Sequence, residues 1–484
     1  MSEKSSDRTD DTSQMREPEA EQLRSDSSSE LDPVLTDTAD QVPTTSHQMT
    51  SDQESSDSSL SIQSYEIEVT AIDEISESEY RRSRLPYINP GDVFCDDQNE
   101  YEVLKFLGRG GYATVWLSEN KKTEEYSAIK ITKLDRRYRE AAEREKMVCY
   151  SNRLHQFQSM HFQYMQILQK NCQHKNIVKF LGGFGMKLDG VKHIALRFEA
   201  LGPNLDQVLD PSIPKFHPNV IKTIIKQLLE ALKYIHRKFI IHVNVKPSNI
   251  MIAISEKNIQ DIAENSNPTV NNYYMDLTNA DSKLNVKLGD FGLSVKILKG
   301  CESGHRSTCT YRAPESFLTT IIDFPIDLWS MGCVIHKIVT RKQLFTCAQL
   351  DDDEQKGKMH LVKIAKALGP IPAAPFQKHS RPEYKELFGD NDSFQEGNPD
   401  FHGNFVKAAA DYLDADEANR FYNFMLQFLE YDPKKRITAA RATEDDFLLP
   451  DEGETIHEEE TIQRPETGPP VNSQSSSSPG PSNI

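Results

Sequence analysis

Tryptophan is nearly missing from this chain, with two residues in 484, and aromatic residues make up only 8% of it. The first eighty residues hold only Tyr65 and Tyr80 among aromatics and are mostly Ser, Asp, Glu, Thr and Gln. Such a segment cannot bury enough apolar area to offset its chain entropy, so residues 1–85 are expected to be a disordered, acidic, Ser-rich tail. Residues 451–484, closing on PVNSQSSSSPGPSNI, are expected to be a second one. Cysteine is also scarce. Cys95, Cys149, Cys172, Cys301, Cys309, Cys333 and Cys347 are scattered, and no pair has CxxC spacing. That argues against a disulfide frame or a zinc site and predicts free thiols in a reducing compartment. Long apolar runs are lacking, so no membrane span is expected. MSEKSSDRTDD has no apolar core, so no secretory signal is expected either.

An overall positive charge is lacking too, since the formal net charge is −18. The tails carry it. By a rough count residues 1–80 hold about −17 and 451–484 about −6, which leaves the middle at roughly +5. Neither an acidic fold nor nucleic-acid binding follows from that balance. Two Ser/acid clusters, SDSSSELD and SDQESSDSSLS, suit either an acid-directed kinase or a solvated tail. RRSR at 81–84 reads as the junction to the fold, or as a weak targeting signal.

What is present begins near Tyr87. YEVLKFLG, YATVWLSEN and EEYSAIKIT alternate like strands rich in Val, Ile and aromatics. Residues 138–170 have a helical pattern. From Asn219, NVIKTIIKQLLEALKYIHRKF repeats apolar residues at three and four, an amphipathic helix. DLWSMGCVIHKIVT (327–340) is apolar nearly all round and reads as a buried helix. RFYNFMLQFLEYDPKKRI predicts a last helix stopped near Pro433. Strands first and helices afterwards predict an α+β fold, with a small sheet lobe and a larger helical lobe. No internal repeat is seen.

Several chemical residues fall in a telling order. Gly108-Arg-Gly110-Gly-Tyr-Ala113-Thr-Val115 joins two strand patterns, where glycines let backbone amides approach phosphates. By itself this says little, because glycine is common in hairpins. Lys130 follows in AIK, then Glu145 in YREAAEREK, then HVNVKPSN (242–249), GDFGL (289–293) and TYRAPES (310–316). An amide oxygen at Asn249 and a carboxylate at Asp290 are hard ligands of the kind Mg²⁺ prefers. Glu315 could pair with Arg436 as a structural ion pair. Asp327 and Trp329 belong to the buried helix.

Six such elements in this order resemble a eukaryotic protein kinase over roughly residues 88–449. Within that superfamily the chain is similar to SR-protein kinases. The resemblance rests on NPGDVF before the Gly loop, GGYATVWL, Tyr-x-x-x-Ala-x-x-Glu at 138–145 and RFEALGPNL (197–205), while LGPIP (368–372) is similar to the broader group of kinases that includes this family. It rests also on a short insert, roughly 254–282, between Asn249 and Asp290, beginning SEKNIQDIAENSN.

The resemblance implies a kinase domain over 86–450, with lobes of about 86–200 and 201–450. It implies ATP and Mg²⁺ as cofactors. Leu107, Gly108, Gly110, Val115, Lys130, Glu145, Glu199 and Leu201 would hold the nucleotide, with Lys130 paired to Glu145. Asn249 and Asp290 would hold the metal, while Asn244 and Lys246 would face the reacting hydroxyl and the γ-phosphate. Asp327 would brace the loop at 242–249. It further implies a Ser/Thr kinase acting on Arg/Ser-rich splicing proteins, as a cytoplasmic and/or nuclear monomer without direct nucleic-acid or membrane contact. The acidic run 351–354 would dock such substrates, or is a solvated loop. No phosphorylation switch is expected in 290–315, because Val243 replaces the arginine that such a phosphate neutralises.

One position departs from the kinase pattern. The substrate's base is ordinarily Asp, and this chain has Asn244. An amide accepts a hydrogen bond but does not take the proton. The alternative reading is therefore a pseudokinase that binds ATP and docks basic partners without phosphotransfer.

Overall fold

The computed structural model describes residues 85–110, 113–132, 174–188, 191–267, 270–297, 301–302, 307–348, 350, 352–388, 393–394 and 400–448, with strands at 45–46 and 65–70. Glu145 and the helical pattern at 138–170 lie outside the described residues.

The strands β1 (Thr45–Ser46) and β2 (Tyr65–Thr70) come first. A six-stranded antiparallel sheet follows, made of β3 (Val93–Cys95), β4 (Glu100–Arg109), β5 (Ala113–Asn120), β6 (Tyr126–Thr132), β7 (Phe180–Leu188) and β8 (Val191–Glu199), in spatial order 3-4-5-6-8-7. Alternation explains its inner face. Tyr101 and Val103 on β4, Trp116 on β5, and Ile129 and Ile131 on β6 pack with Phe94 and Ala195 into a separate small-lobe core.

The larger lobe is built round two helices, α1 (Pro218–Arg237) and α2 (Pro325–Thr340). Proline stands in the first turn of each, where its missing N–H costs no intrahelical bond. On α1 the buried residues recur at three and four, from Val220 through Ile224 and Leu228 to Ile235. On α2 nearly every residue is buried, as its all-round apolar composition predicts. The last long helix runs over Ala415–Leu426, so it starts and ends a few residues before the predicted stretch. Among the described residues no helix is long and apolar enough to cross a membrane.

The insert folds as a helix, Glu256–Glu264, capped by the Ser255 side chain, and a strand, Val270–Met275. Ile262, Tyr273, Met275 and Leu277 enter the main core. The strand Val270–Met275 pairs in antiparallel register with β2 over six residues, from Val270 opposite Thr70 to Met275 opposite Tyr65, and β1 pairs with β2 on its other side. Ile67 of β2 is buried in the main core. The expectation that residues 1–85 carry no structure therefore fails at 45–46 and 65–70. A strand of mixed polarity becomes ordered where an open edge offers its backbone six partners.

The insert also touches the small lobe. Lys105 of β4 is 1% exposed, and its Nζ donates to the Ile262 carbonyl at 3.4 Å. Burial pushes its pKa down to about 8. A lysine lowered in this way is destabilising below about pH 8, and the cost fades as the pH rises toward the unfolded value near 10.4. Lys105→Met should therefore stabilise the chain at pH 7 by about 1–3 kcal/mol. In urea denaturation that gain should shrink between pH 8 and pH 10. An equal gain at both pH values would mean that packing, not charge, sets it.

Seven cysteines were expected to be free thiols. Cys95 and Cys333 are, with the Cys333 thiol pushed well up by burial. Cys309 and Cys347 instead form a disulfide with Cα atoms 6.0 Å apart. Their separation of 38 residues has no local spacing signature.

Candidate active site

The site lies between the lobes, where three segments converge. The first is the loop 242–249, which leaves the short strand Ile240–Ile241 and ends in a 3-10 turn, Pro247–Asn249. Asp327, on the first turn of α2, organises it. Its Oδ2 accepts from the His242 backbone N–H and its Oδ1 from that of Val243, both at 2.8 Å, while Oδ2 also contacts His236 Nε2 at 2.9 Å. The expected bracing role is observed. Val243 has a φ of +73°, costly for a β-branched residue, and the Asp327 contact holds it there.

His242 is fully buried. Its Nε2 lies 2.9 Å from the Gly289 carbonyl, and its Nδ1 accepts from the Asn244 N–H at 3.3 Å. That pattern assigns the neutral tautomer with hydrogen on Nε2. Burial lowers its pKa in the same sense. His242 is thus a spacer between the two loops and not a proton carrier.

The second segment is 289–293. Gly289 N–H donates to the Asn249 carbonyl at 2.8 Å, which sets Asn249 and Asp290 side by side. A Cβ on Gly289 would meet Val178 at 2.8 Å, so only glycine fits. Asp290 adopts a left-handed conformation, φ +58°, and its Oδ1 accepts from Lys130 Nζ at 2.8 Å. This pair bridges the lobes with 11% and 22% of its side chains exposed. The Lys130 partner seen here is Asp290, while the expected partner Glu145 lies outside the described residues. Asn249 Nδ2 donates to the Asn244 carbonyl at 2.8 Å, so the amide is oriented with its oxygen as the remaining acceptor. An amide oxygen and a carboxylate held next to each other fit a magnesium ion, which takes few protein oxygens and keeps waters and phosphates.

The third segment is 307–316. Thr308 donates to Asn244 Oδ1 from its Oγ1 at 2.8 Å and from its N–H at 3.3 Å. Asn244 is 7% exposed. Arg312 Nε donates to the Ser307 carbonyl at 3.1 Å. Glu315 pairs with Arg436 at 2.5 and 3.0 Å, as its sequence position suggested. Lys246 is half-buried on the first segment.

The glycine loop is the hairpin between β4 and β5, closed by Gly110 N–H to the Ala113 carbonyl at 2.9 Å. Leu107, Gly108 and Val115 are half-buried and Gly110 is exposed, with nothing within 4 Å of a Cβ on Gly108. Glu199 ends β8, and its carboxylate takes Lys287 Nζ at 2.7 and 2.8 Å and the Lys179 N–H at 2.6 Å. Its side chain is therefore occupied in joining β8 to the larger lobe, and only backbone there is left for a ligand. Leu201, just beyond, is half-buried. Of the acidic run 351–354, Asp352 caps the helix Asp353–Leu368, and Asp353 and Glu354 lie in its first turn. Helix N-termini favour negative charge, which gives those three residues a local role.

Thr308, which belongs to this site, has no motif or spacing that singles it out in the sequence.

Residues 101–448 match the protein kinase domain family. The chain is 29% identical over 402 residues to "Serine/threonine-protein kinase SRPK" of Physarum polycephalum, covering 76% of this chain and 90% of that protein. It is 28% identical to "Serine/threonine-protein kinase AFC3" of Arabidopsis thaliana, covering 72% and 82%. Against the mouse "Dual specificity protein kinase CLK4" it is 27% identical, covering 76% and 72%. A crystallised kinase domain shares the fold with a TM-score of 0.55 and 23% identity, over 76% of this chain and 99% of that one.

Proposed function

Because the chain belongs to the protein kinase domain family, we propose that it transfers the γ-phosphoryl group of ATP to serine or threonine in Arg/Ser-rich proteins, slowly, for want of a carboxylate at position 244. Protein kinases in general use ATP and a divalent metal. The proposal here is which residues do so and how well.

Asn249 and Asp290 would hold Mg²⁺, which offsets charge on the phosphates when bound. Lys130 would pair the phosphates while keeping Asp290 in place. Gly108 and Gly110 would let backbone N–H groups approach them, with Leu107 and Val115 covering the base and the backbone of Glu199–Leu201 at its edge. Lys246 would face the transferred group. Glu145 is assigned beside Lys130 by the family resemblance alone.

The contact between Thr308 Oγ1 and Asn244 Oδ1 carries the reading. A hydroxyl already donates to that oxygen at 2.8 Å, so a substrate hydroxyl can be oriented there in the same way. Orientation and phosphate stabilisation supply most of phosphoryl transfer through a loose transition state. What is missing is the proton's destination, since the amide cannot take it. It would leave to water or to the phosphoryl oxygen.

The same contact supports a second reading, a nucleotide-binding protein without phosphotransfer. Two Thr308 donors share the one amide oxygen, and a substrate must displace them. Incubating the full chain with Mg·ATP labelled at the γ-phosphate and an Arg/Ser peptide separates the two. Slow labelling of peptide serine is expected, and none at all would favour the second reading.

Both readings require nucleotide binding. Mg·ATP at about a hundred times its Kd should stabilise the chain by about 2.7 kcal/mol, read as a rise in melting temperature. Asp290→Ala should remove the rise. A folded parent chain that shows no shift would remove the nucleotide from the account. As for setting, a monomer in the cytoplasm and/or nucleus is proposed.

A further inference from the structure

Cys309 and Cys347 are joined in this structure, and a third group stands beside them. His360, on the helix Asp353–Leu368, has no exposed surface, and neither ring nitrogen makes a hydrogen bond. One of its nitrogens and the two sulfurs all lie within 4.8 Å of one another. Around it stand the rings of Phe317 and Phe345, at 5.3 and 5.7 Å, with the Arg312 backbone and the cationic side chains of Arg312 and Lys363 also close enough to act on it. A disulfide asks nothing of it, and a buried polar group without a partner is costly. The three residues come from three separate segments: the turn Cys309–Tyr311, the loop after α2, and the helix Asp353–Leu368.

We propose that, when the two thiols are reduced, Cys309, Cys347 and His360 bind one thiophilic divalent cation, with zinc(II) the best chemical fit. Two thiolates and an imidazole form a sulfur–nitrogen set that selects zinc over magnesium or calcium, which want oxygen. With Zn–S of about 2.3 Å and Zn–N of about 2.0 Å, tetrahedral donors sit roughly 3.5–3.8 Å apart; the two bonded sulfurs must part on reduction to reach that spacing, while the imidazole nitrogen already lies within 4.8 Å of both. A neutral imidazole offers a nitrogen lone pair to such a cation. Three protein ligands leave a fourth position for water.

The disulfide is the oxidised state of the same pair. A low-molecular-weight disulfide such as oxidised glutathione supplies the two-electron step. The Cys347 thiolate attacks one of its sulfurs and expels a thiolate. The Cys309 thiolate then attacks the mixed disulfide at the Cys347 sulfur and expels the second, and the cation leaves with its water. Cys347 is the half-buried member of the pair and the natural point of attack. Either state ties down the residue that follows Thr308, and so the contact to Asn244.

The test uses the full chain, reduced with a phosphine, stripped of metal and titrated with cobalt(II) as a coloured substitute for zinc. One equivalent should give thiolate-to-cobalt charge transfer and the ligand-field bands of a tetrahedral ion, and zinc should displace it. Cys309→Ser and Cys347→Ser should each weaken the charge-transfer band, whose intensity follows the number of thiolates bound, and the double variant should lose it. His360→Gln should weaken binding at least about tenfold, the loss that even an outer-shell partner produces. Oxidation with glutathione disulfide should release the metal. X-ray absorption of the zinc-loaded parent chain should count two sulfurs and one imidazole, which keeps the proposal testable if a variant fails to fold. A reduced, folded chain that takes up no cobalt overturns it. So does a band that keeps its full intensity in Cys347→Ser or survives in the double variant, or binding that His360→Gln leaves unchanged.

Discussion

Exchanging Asn244 for aspartate should raise kcat for peptide phosphorylation by about 10²–10⁴, the range expected of a positioned base. The loop around residue 244 is set by contacts that the exchange does not touch. Asp327 holds the backbone at 242 and 243, and His242 holds the N–H of 244. Asn249 is fixed through the carbonyl of 244 and not its side chain. An aspartate of nearly the same size would inherit the Thr308 hydrogen bonds, and a carboxylate accepts them more strongly than an amide. Added to that is basicity, which enters only as the hydroxyl loses its proton. KM for ATP should therefore change little, the signature of an interaction made only in the transition state. Steady-state rates at saturating Mg·ATP, with an Arg/Ser peptide, give both constants. If the parent is inert and the variant gains less than about tenfold, some other part is broken and the non-catalytic reading stands. If the parent is already fast, the proton needs no carboxylate.

The second large effect is on stability. Arg436→Ala should cost about 3–5 kcal/mol in urea denaturation, because it strands a buried carboxylate. Glu315 is 4% exposed and its Oε1 and Oε2 both accept from Arg436. The same guanidinium donates to the Pro325 and Glu430 carbonyls at 2.9 Å and lies 5.1 Å over the Trp329 ring. It therefore fastens the segment ending at Glu315, the start of α2 and the chain near 430 to one another. Arg436→Lys should recover only part of the loss, since an ammonium lacks the planar fork. Removing both charges with Glu315→Gln and Arg436→Met should cost much less than Arg436→Ala alone. A loss under about 1 kcal/mol for Arg436→Ala would place the pair among weak surface contacts.

Much of this molecule was legible in the amino-acid order. Alternation marked β4, β5 and β6, and the three-four repeat marked α1 to within a residue or two. These are local signals, written in residues that touch the same core face. The pairing of Glu315 with Arg436, 121 residues apart, has no period behind it and was expected from the places of the two charged residues in TYRAPES and DPKKRI. Resemblance to kinases placed Asp327 under the loop at 242.

Tertiary structure alone decided the rest. β2 reads as part of a polar tail, and only the open edge of Val270–Met275, two hundred residues on, makes it a strand. Cys309, Cys347 and His360 have no spacing that announces a cluster, because three unrelated segments bring them together. Lys105 is of a residue type that ordinarily keeps its charge in water, and only the insert that covers it buries it. Thr308 is one hydroxyl among several in its segment, and only the folded backbone aims it at Asn244. The physical reason is common to all four. Periodicity records which residues share a face of one element, whereas contacts between distant segments depend on how those elements pack, and packing leaves no period in the chain.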